Sequence, residues 1–300
     1  MESNDIENLV NTIRFTRKCG YPDDYAYFAR DDFPLLHEDF EIFFMITGDI
    51  AWFVENKMYD YDPGSLIIFN NYEVHKLTVR SNKRFERLRL LFDPRLARLF
   101  SFRDKDLLSC FTDRPIGFGN ILKPAGVALA EVLRGFESLE RSIGEASTLN
   151  TLTNFLNLLS VVNRLYGERE DASKDSEMPE PVNRVLDYIE THLNGDLSLE
   201  TIGRGCGSSI YHMSRVFKKR TGSTIHNYVL FKRVSAAKQY LAEGWSSDKV
   251  RDLCGFGTGL AFTSAFRKIA GVTPAAFARA KASAAKEAET TEGSAKPEPA

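Results

Sequence analysis

A fifteen-residue pattern occurs twice in the C-terminal third of the sequence. The first copy reads SSIYHMSRVFKKRTG, residues 208–222, and the second reads GTGLAFTSAFRKIAG, residues 257–271. In both copies apolar residues recur at i, i+3 and i+4, which is the spacing of the buried face of an α-helix. These apolar residues are Met213, Val216 and Phe217 in the first copy, and Phe262, Ala265 and Phe266 in the second.

The ends of both copies carry helix start and stop signals. Ser209 and Thr258 are suited to cap a helix at its N-terminus. Gly222 and Gly271 are suited to the left-handed position that follows the last helical residue. The pattern therefore predicts two helices of equal length held by the same kind of core.

Each copy is preceded by a short helical segment, LSLETIGRGC or SSDKVRDLCG. The sequence thus predicts two helix-turn-helix units, at about 198–219 and 246–269, and the second helix of such a unit enters the DNA major groove. Between them, residues 224–243 form a helical pattern about 30 Å long at 1.5 Å per residue. This length is close to the ~34 Å between successive major-groove faces on one side of a duplex.

The charge of the chain is divided unevenly. The net charge is −2, but residues 181–281 contain 15 Lys and Arg against 7 Asp and Glu, a balance of +8 that leaves −10 for the rest. A basic C-terminal part indicates an anionic partner. The loops GRGCGSS and GFGTG are rich in glycine, but neither follows a strand of a βαβ unit and no P-loop lysine follows, which argues against a nucleotide site.

The first part of the chain changes from strand patterns to helical patterns. Between Phe33 and Phe92, short runs of β-branched and aromatic residues alternate with turns, which predicts a small barrel or sandwich. From Pro94 the periodicity is helical, most clearly over 148–167. Its apolar stripe consists of Leu149, Leu152, Phe155, Leu156, Leu159, Val162 and Tyr166. Packing on its own domain and pairing of two subunits are both open, and we expect a homodimer through this helix.

Two segments are expected to lie outside the folded parts. Residues 167–181 are charged and end in two prolines, which is typical of a solvated linker. Residues 282–300 contain no aromatic or branched apolar residue, which predicts a disordered tail. The N-terminus has no signal-peptide pattern and no stretch is long enough for a membrane span, so a cytoplasmic protein is expected. Four widely spaced cysteines indicate neither a disulfide framework nor a structural zinc site.

The repeated units resemble a family of bacterial transcription factors. The motif S-x-x-x-M-S-R-V-F-K-K-x-T-G, the connecting Tyr228 and Arg233, and F-T-S-A-F-R-K-x-x-G-V-T-P ending at Pro274 are similar to the DNA-binding domain of the arabinose-regulator (AraC/XylS) family. The resemblance implies an α+β protein with a cupin-like β-barrel, trailing helices and an all-α domain whose two helix-turn-helix units are joined by a long helix. The implied segments are an N-terminal segment 1–22, a cupin-like effector-sensing domain 23–100, a helical dimerisation region 101–167, a linker 168–181, a DNA-binding domain 182–281 and the tail 282–300.

The resemblance implies that the outer faces of both second helices contact double-stranded DNA. Arg215 is expected to pair with guanine, Tyr211 to touch thymine methyl groups, and Lys218 to neutralise phosphates. The second helix departs from the family because its outer residues are short or apolar, so less guanine readout is expected there. The implied DNA contacts are Ser209, Tyr211, His212, Ser214, Arg215, Lys218, Lys219, Thr258, Gly259, Leu260, Thr263, Ser264, Arg267 and Lys268.

Three glycines crowd the first short helix of the DNA-binding domain. Gly203, Gly205 and Gly207 each cost up to about 1 kcal/mol relative to alanine in a helix interior. The domain is therefore expected either to be marginally stable alone or to have a first helix that tightens only on DNA.

The cupin-like part is expected to bind a small organic effector between apolar walls and a few polar groups. The candidate residues are His37, Glu41, Phe43, Trp52, Phe69, Tyr72 and His75. His37, Glu41 and Gly48 have the His-x3-Glu-x6-Gly spacing of a cupin strand pair, and His75 could complete a metal set. Leu35 replaces the usual first histidine, however, and neither a metal nor a cofactor is expected.

A regulator without catalytic activity, controlled by an effector, is the favoured function. A metal-dependent cupin enzyme fused to a DNA-binding module is one alternative. An effector-independent regulator whose barrel only dimerises is another. Besides DNA and a second subunit, RNA polymerase is a further expected partner.

Overall fold

The computed structural model describes residues 3–22, 38–102, 105–169, 180–207 and 209–293. It divides into two compact units, Met1–Met178 and Pro179–Ala300, and this division falls within the segment predicted as a linker. His37 and residues 170–179 of that linker lie outside the described residues. Every helix in the described part of the chain is too short or too polar to cross a membrane.

In the described residues, the first unit combines eight short strands with a helix before them and several helices after them. The strands are β1 Arg14–Gly20, β2 Phe40–Thr47, β3 Ile50–Val54, β4 Lys57–Tyr61, β5 Leu66–Phe69, β6 His75–Val79, β7 Phe85–Phe92 and β8 Ile121–Leu122. The helices are α1 Ser3–Val10, α2 Pro94–Arg98, α3 Ser109–Thr112, α4 Gly126–Gly144 and α5 Thr148–Glu168.

These strands form two antiparallel sheets and not the predicted closed barrel. One sheet has the order β1-β7-β2-β5-β8 and the other the order β4-β3-β6. Within the described residues, no strand pair links the two sheets. Their facing side chains enclose a core that contains Phe43, Trp52, Tyr61 and Phe69. The cupin-like barrel is therefore corrected to a sandwich of two sheets, in which side-chain packing holds the layers together.

The N-terminal segment 1–22 contributes a strand that the sequence did not reveal. β1 pairs with β7 along its whole length, from Arg14 opposite Leu91 to Gly20 opposite Phe85. Its residues are exposed or half-buried, because β1 lies at the edge of its sheet. An edge strand of polar composition, RFTRKCG, has no apolar alternation by which it could be recognised.

The outer face of the five-stranded sheet packs against α4 and α5. Leu88, Leu90 and Phe92 of β7 share this core with Phe155, Leu159 and Val162 of α5. Part of the stripe on α5 is thus used within its own unit, while pairing of two subunits through this helix stays a prediction. Leu149, at the start of α5, is the member of the stripe that remains well exposed, at 73%.

The second unit is all-α. Its helices are α6 Glu180–Thr191, α7 Leu199–Gly205, α8 Ile210–Thr221, α9 Ile225–Ala242, α10 Ser247–Leu253, α11 Gly259–Ala270 and α12 Pro274–Gly293. The long helix α9 is buried on several faces, with Tyr228, Phe231, Val234 and Leu241 among its buried residues. It is the central element on which α8, α10, α11 and α12 pack.

The last helix extends into the segment that was predicted to be disordered. α12 continues to Gly293, and residues 294–300 lie outside the described residues. The sequence PAAFARAKASAAKEAE is rich in alanine, which has the highest helix propensity of all residues. A lack of large apolar side chains does not prevent an alanine-rich helix.

Candidate nucleic-acid interface and sensing interior

The first helix-turn-helix unit begins at a firmly capped helix, α7. Ser198 Oγ accepts a hydrogen bond from the backbone nitrogen of Thr201 at 3.3 Å. Asp196 accepts hydrogen bonds from Thr201 Oγ1 at 2.6 Å and from the backbone nitrogen of Ser198 at 2.9 Å. These hydrogen bonds, with that from Thr201 contributing most, lower the pKa of Asp196. A carboxylate in this position also faces the positive end of the helix dipole.

Gly205 is required by packing and is not a source of looseness in α7. A Cβ atom at this position would lie 2.2 Å from Cε2 of Tyr188, whose ring stacks on His192 with centroids 4.2 Å apart. Gly207 follows the helix with a positive φ of 60°. Gly205 thus permits close contact with α6, and Gly207 lies beyond the helix. The expected marginal stability of this region stays a prediction.

The second helix of this unit, α8, turns its polar side outward. Met213 and Phe217 are buried beneath it, and Phe217 contacts the ring of Tyr228 on α9 with centroids 5.7 Å apart. Tyr211 is 78% exposed. Also exposed are His212, Arg215, Lys218 and Lys219. The positive φ of 71° at Gly222 ends the helix, as predicted.

Two serines of α8 differ from their predicted roles. Ser209 has the extended backbone of an N-cap residue, but its side chain makes no capping hydrogen bond. Ser214 was expected on the solvent side, yet its Oγ is buried and has no hydrogen-bond partner within the described residues. Ser214 follows Met213 and precedes Phe217 by three positions, so it lies at the border of the buried face.

The corresponding helix of the second helix-turn-helix unit, α11, has the same frame, which means the same buried core positions and the same terminal glycine. Thr258 Oγ1 accepts a hydrogen bond from the backbone nitrogen of Ala261 at 3.1 Å, which confirms the predicted cap. Phe262 and Phe266 are buried, and Gly271 ends the helix with a φ of 76°. The pattern read from the sequence thus places two equivalent helices on two equivalent cores.

The surface of α11 is different in chemistry. Leu260, which corresponds to Tyr211, is 79% exposed. Ser264 stands where α8 has Arg215. The exposed residues of this helix and its N-cap are Thr258, Gly259, Leu260, Ala261, Thr263, Ser264, Arg267 and Lys268. Arg267 and Lys268 therefore provide its positive charge, both in the last turn.

The interior of the first unit brings together five of the seven predicted effector-binding residues. Glu41, Phe43, Trp52, Phe69 and His75 are each at most 1% exposed. The His75 ring stacks on Phe69 with centroids 3.9 Å apart, and Trp52 lies 4.9 Å from Phe69 and 5.0 Å from Phe43. Trp52 Nε1 has no hydrogen-bond acceptor among the described residues. The remaining two residues do not join this cluster in the described structure: Tyr72 lies half-buried after β5, and His37 is outside the described residues.

Glu41 forms an ion pair that the sequence did not reveal. Arg89 Nε and Nη2 donate hydrogen bonds to the two oxygens of Glu41 at 2.8 and 2.7 Å, and His75 Nε2 lies 3.8 Å from Glu41 Oε2. A guanidinium thus engages both oxygens that a metal would need. Within the described residues, no group of three His, Cys, Asp or Glu side chains is arranged to hold a metal ion.

A second buried ion pair anchors the loop before β6. Arg114 Nη1 and Nη2 donate to Glu73 Oε1 and Oε2, both at 2.6 Å, and the backbone nitrogen of Gly117 donates to Glu73 Oε1 at 2.8 Å. The carbonyl oxygen of Glu73 in turn lies 2.9 Å from His75 Nδ1. This network fixes the chain on either side of Tyr72, so the loop is held by charge as well as by packing.

A small cleft lies on the first unit, and the residues that line it are not the predicted effector-binding residues. Arg87 on this wall is 4% exposed, and its guanidinium lies 5.5 Å from the centroid of the Phe43 ring. The cleft is lined by Pro22, Met45, Asp49, Ile50, Leu77, Val79, Ser81, Lys83, Phe85 and Arg87. The alternation in RFERLRLLF could have located Arg87, because successive side chains of a strand point to opposite faces and Leu88 and Leu90 lie on the helix side.

Comparison with known proteins places the strongest similarity in the second unit. Residues 202–280 match the sequence profile of a family described as a helix-turn-helix domain. The probable transcriptional regulator LumQ of Photobacterium leiognathi is 35% identical over 106 residues, which are 34% of this chain and 43% of LumQ. The bifunctional transcriptional activator/DNA repair enzyme AdaA of Bacillus subtilis is 34% identical over 108 residues, 34% of this chain and 50% of AdaA.

A shorter relative is matched over most of its length. The probable transcription factor PqrA of Proteus vulgaris is 34% identical over 99 residues, which are 32% of this chain and 81% of PqrA. The matches to LumQ and AdaA, in contrast, span half or less of those proteins. These three matches therefore concern about a third of this chain.

Proposed function

Because the chain belongs to the AraC/XylS family of transcriptional regulators, we propose that it binds specific DNA sequences by inserting α8 and α11 into successive major-groove segments. The observation that carries this proposal is the repeated unit, in which two helices of equal length expose polar and basic residues above equivalent cores. The connecting helix α9 has 18 residues. At 1.5 Å per residue this is about 27 Å, which is near the ~34 Å repeat of the groove.

The two helices contribute differently in this proposal. Arg215 on α8 recognises guanine through its two parallel donors, and the exposed ring of Tyr211 contacts base edges or thymine methyl groups. On α11, Leu260 provides an apolar contact, while Arg267 and Lys268 contact phosphates. Sequence preference therefore resides mainly in the segment that α8 occupies.

In vitro selection from a pool of randomised duplexes with the full-length chain tests this function. We expect the recovered duplexes to share one strongly constrained segment and a second, less constrained segment about one helical turn (10–10.5 bp) away. The matched control is the variant Arg215→Ala, which should still recover DNA but with a weaker constraint in the first segment. Recovered pools that are no more alike than the starting pool would refute sequence-specific binding.

We also propose that a small organic molecule binds to the first unit and modulates DNA binding. The buried Trp52 Nε1, without an acceptor among the described residues, supports this proposal because an unsatisfied buried donor costs about 1–3 kcal/mol. A ligand oxygen near Trp52 would remove that cost. A metabolite screen by thermal shift, with Trp52→Phe as the control that lacks the donor, tests the proposal. No shift with any compound would favour the effector-independent alternative.

A catalytic role for this interior is not part of the proposal. Arg89 compensates the charge of Glu41, so the carboxylate is not directed at a metal. The repair activity in the name of AdaA belongs to that protein, of which half is matched. Metal analysis of the purified chain tests the point. Stoichiometric metal that is lost in His75→Ala would instead support the fused cupin enzyme.

The remaining parts of the proposal concern assembly and location. A regulator of this type would act in the cytoplasm, where it meets double-stranded DNA and RNA polymerase, and would bind as a homodimer. Because Leu159 and Val162 are buried in the core of the unit, a dimer contact on α5 would have to use its outer residues such as Leu149. Light scattering at micromolar concentration measures the molar mass, and Leu149→Glu should yield monomers. A monomeric wild type would rule out the dimer.

A further inference from the structure

We propose that Arg233 is a positioning residue that fixes the orientation of the two helix-turn-helix units relative to each other. It would thereby determine the spacing between the two DNA segments that the protein accepts. This inference rests on the proposed function, because spacing matters only if both units meet the same duplex. It concerns a residue that faces the interior joint of the domain and not the DNA.

Arg233 holds the loop that leads into the first helix-turn-helix unit. It lies near the middle of α9, and its Nε donates a hydrogen bond to the carbonyl oxygen of Leu193 at 3.0 Å. Its Nη2 donates to the carbonyl oxygen of Gly195 at 2.6 Å. Both acceptors belong to the loop between α6 and α7, so one planar side chain grips the backbone at two points.

The same guanidinium lies against the turn of the second helix-turn-helix unit. Its central carbon is 5.9 Å from the centroid of the Phe256 ring, in the turn between α10 and α11. A Cβ at Gly255 would lie 2.8 Å from Arg233 Nη2 and 2.9 Å from the carbonyl group of Asn194. Only glycine permits this approach, and its positive φ of 71° also favours glycine. The turn of the second helix-turn-helix unit therefore touches the loop that precedes the first helix-turn-helix unit.

The joint, defined here as Leu193–Gly195, Arg233 and Cys254–Phe256, is partly withdrawn from water. Burial lowers the pKa of Arg233 and raises the pKa of Cys254 to about 12. Hydrogen bonds from a charged donor are strong in such surroundings. Lysine would not replace arginine here, because it lacks the rigid fork that reaches two acceptors at once.

The first helix-turn-helix unit and the helix before it also contact α9 nearer its N-terminus. The ring pair of Phe217 with Tyr228 and the ion pair of Lys232 Nζ with Glu190 Oε1, at 3.5 Å, lie on the N-terminal half of α9. Arg233 adds attachment to the loop and to the second turn together. A chain connected by one helix can rotate about that helix, whereas a chain held also at the joint keeps a single orientation. The joint thus holds the two helix-turn-helix units in one fixed orientation, and the pair held in this way is called a rigid reader of DNA.

Rigidity of this kind has a direct consequence on DNA. Because B-DNA repeats every 10–10.5 bp over about 34–36 Å, one inserted base pair rotates the second segment by roughly 35° and moves it by roughly 3.4 Å. A rigid reader loses its second contact on such a duplex. A reader with a broken joint can follow the displaced segment, but it gains less from the second contact on the intact duplex.

Binding of the full-length chain to a duplex from the in vitro selection tests the inference. Three probes are compared by titration: the intact duplex, the duplex with one base pair inserted between the segments, and a duplex in which the second segment is scrambled. The variants are Arg233→Gln, Arg233→Lys and Gly255→Ala. Arg279→Gln is the matched control, because it removes one exposed charge outside the joint. Thermal melting of every variant shows whether it folds.

We expect wild type and Arg279→Gln to bind the inserted duplex about tenfold more weakly than the intact one, the ratio given by about 1.4 kcal/mol. For Arg233→Gln and Gly255→Ala this ratio should fall to about twofold, with unchanged affinity for the scrambled duplex. For Arg233→Lys the ratio should lie between that of the wild type and that of Arg233→Gln. Loss of stability alone would weaken binding to all three probes alike and leave the ratio unchanged.

Two results would overturn the inference and are distinguishable. If a folded Arg233→Gln retains the tenfold ratio of the wild type, the joint does not set the spacing, and the proposed function stands. If the wild type itself binds the scrambled duplex as well as the intact one, the second unit does not read the duplex, and the two-segment function fails together with this inference.

Discussion

The two recognition helices α8 and α11 have the same frame and different surfaces. Both have 12 residues, both end at a left-handed glycine, and Phe217 of one corresponds to Phe266 of the other. Outward, Arg215 corresponds to Ser264 and Tyr211 to Leu260. Buried positions can therefore stay alike while exposed positions diverge, because packing constrains the former and only the partner constrains the latter.

The number of basic residues also differs between the two helices. α8 contains Arg215 and three basic residues in its last turn, whereas α11 contains Arg267 and Lys268. Both helices thus keep cations near the C-terminus, where they also interact favourably with the helix dipole. The arginine in the middle of the helix, suited to base recognition, occurs only in the first.

The largest effect should come from the shared frame. Phe217→Ala and Phe266→Ala should each destabilise the second unit by about 3–5 kcal/mol, because both phenylalanines are fully buried and truncation leaves a cavity. Urea unfolding followed by fluorescence and circular dichroism measures the loss, and Leu260→Ala is the exposed control. If one phenylalanine proved dispensable, the two frames would not be equivalent.

The next effect should separate the two surfaces. Arg215→Ala should lose about 1–3 kcal/mol of discrimination at one or two base pairs, because its two donors recognise a single base edge. Ser264→Ala should leave the preference nearly unchanged, since a hydroxyl makes at most a modest contact. A base-by-base affinity scan of the selected duplex, at one fixed salt concentration, measures both variants. Greater relaxation by Ser264→Ala would reverse the roles assigned to the two helices.

Sequence periodicity was sufficient to predict the helices of the two helix-turn-helix units. The predicted helix-turn-helix positions, 198–219 and 246–269, contain α7 with most of α8, and α10 with most of α11. The reason is that each amphipathic helix places its core residues at fixed local spacings. Glycine and threonine signals at the ends were equally local, and Thr258 and Gly222 fulfil them.

Features that depend on distant residues were not predictable in this way. The ion pairs of Glu41 with Arg89 and of Glu73 with Arg114 join residues 48 and 41 positions apart. The edge strand β1 is fixed by pairing with β7, and neither its composition nor its exposure reveals that pairing. The open sandwich likewise results from which strands pair, and alternation of residue types does not specify the partners.

The difference between the two helix starts should give a smaller effect. Thr258→Ala should destabilise the second unit by about 1 kcal/mol, because it removes the hydrogen bond to the backbone nitrogen of Ala261. Ser209→Ala should have little effect, since its side chain makes no capping hydrogen bond. Thermal melting without DNA compares the two variants directly. Equal losses would show that Ser209 also caps its helix in solution.

The smallest effect concerns the positive charges that both helices retain. Lys218→Ala and Arg267→Ala should weaken binding to every sequence by a similar factor, because phosphate contacts carry no sequence information. Each contact that is lost should reduce the slope of log affinity against log salt by about 0.9. Titrations between about 50 and 200 mM salt, with the selected duplex and with an unrelated one, measure this slope. A loss confined to the selected duplex for Arg267→Ala would mean that α11 reads bases through Arg267, and the two surfaces would then be less unequal than their sequences indicate.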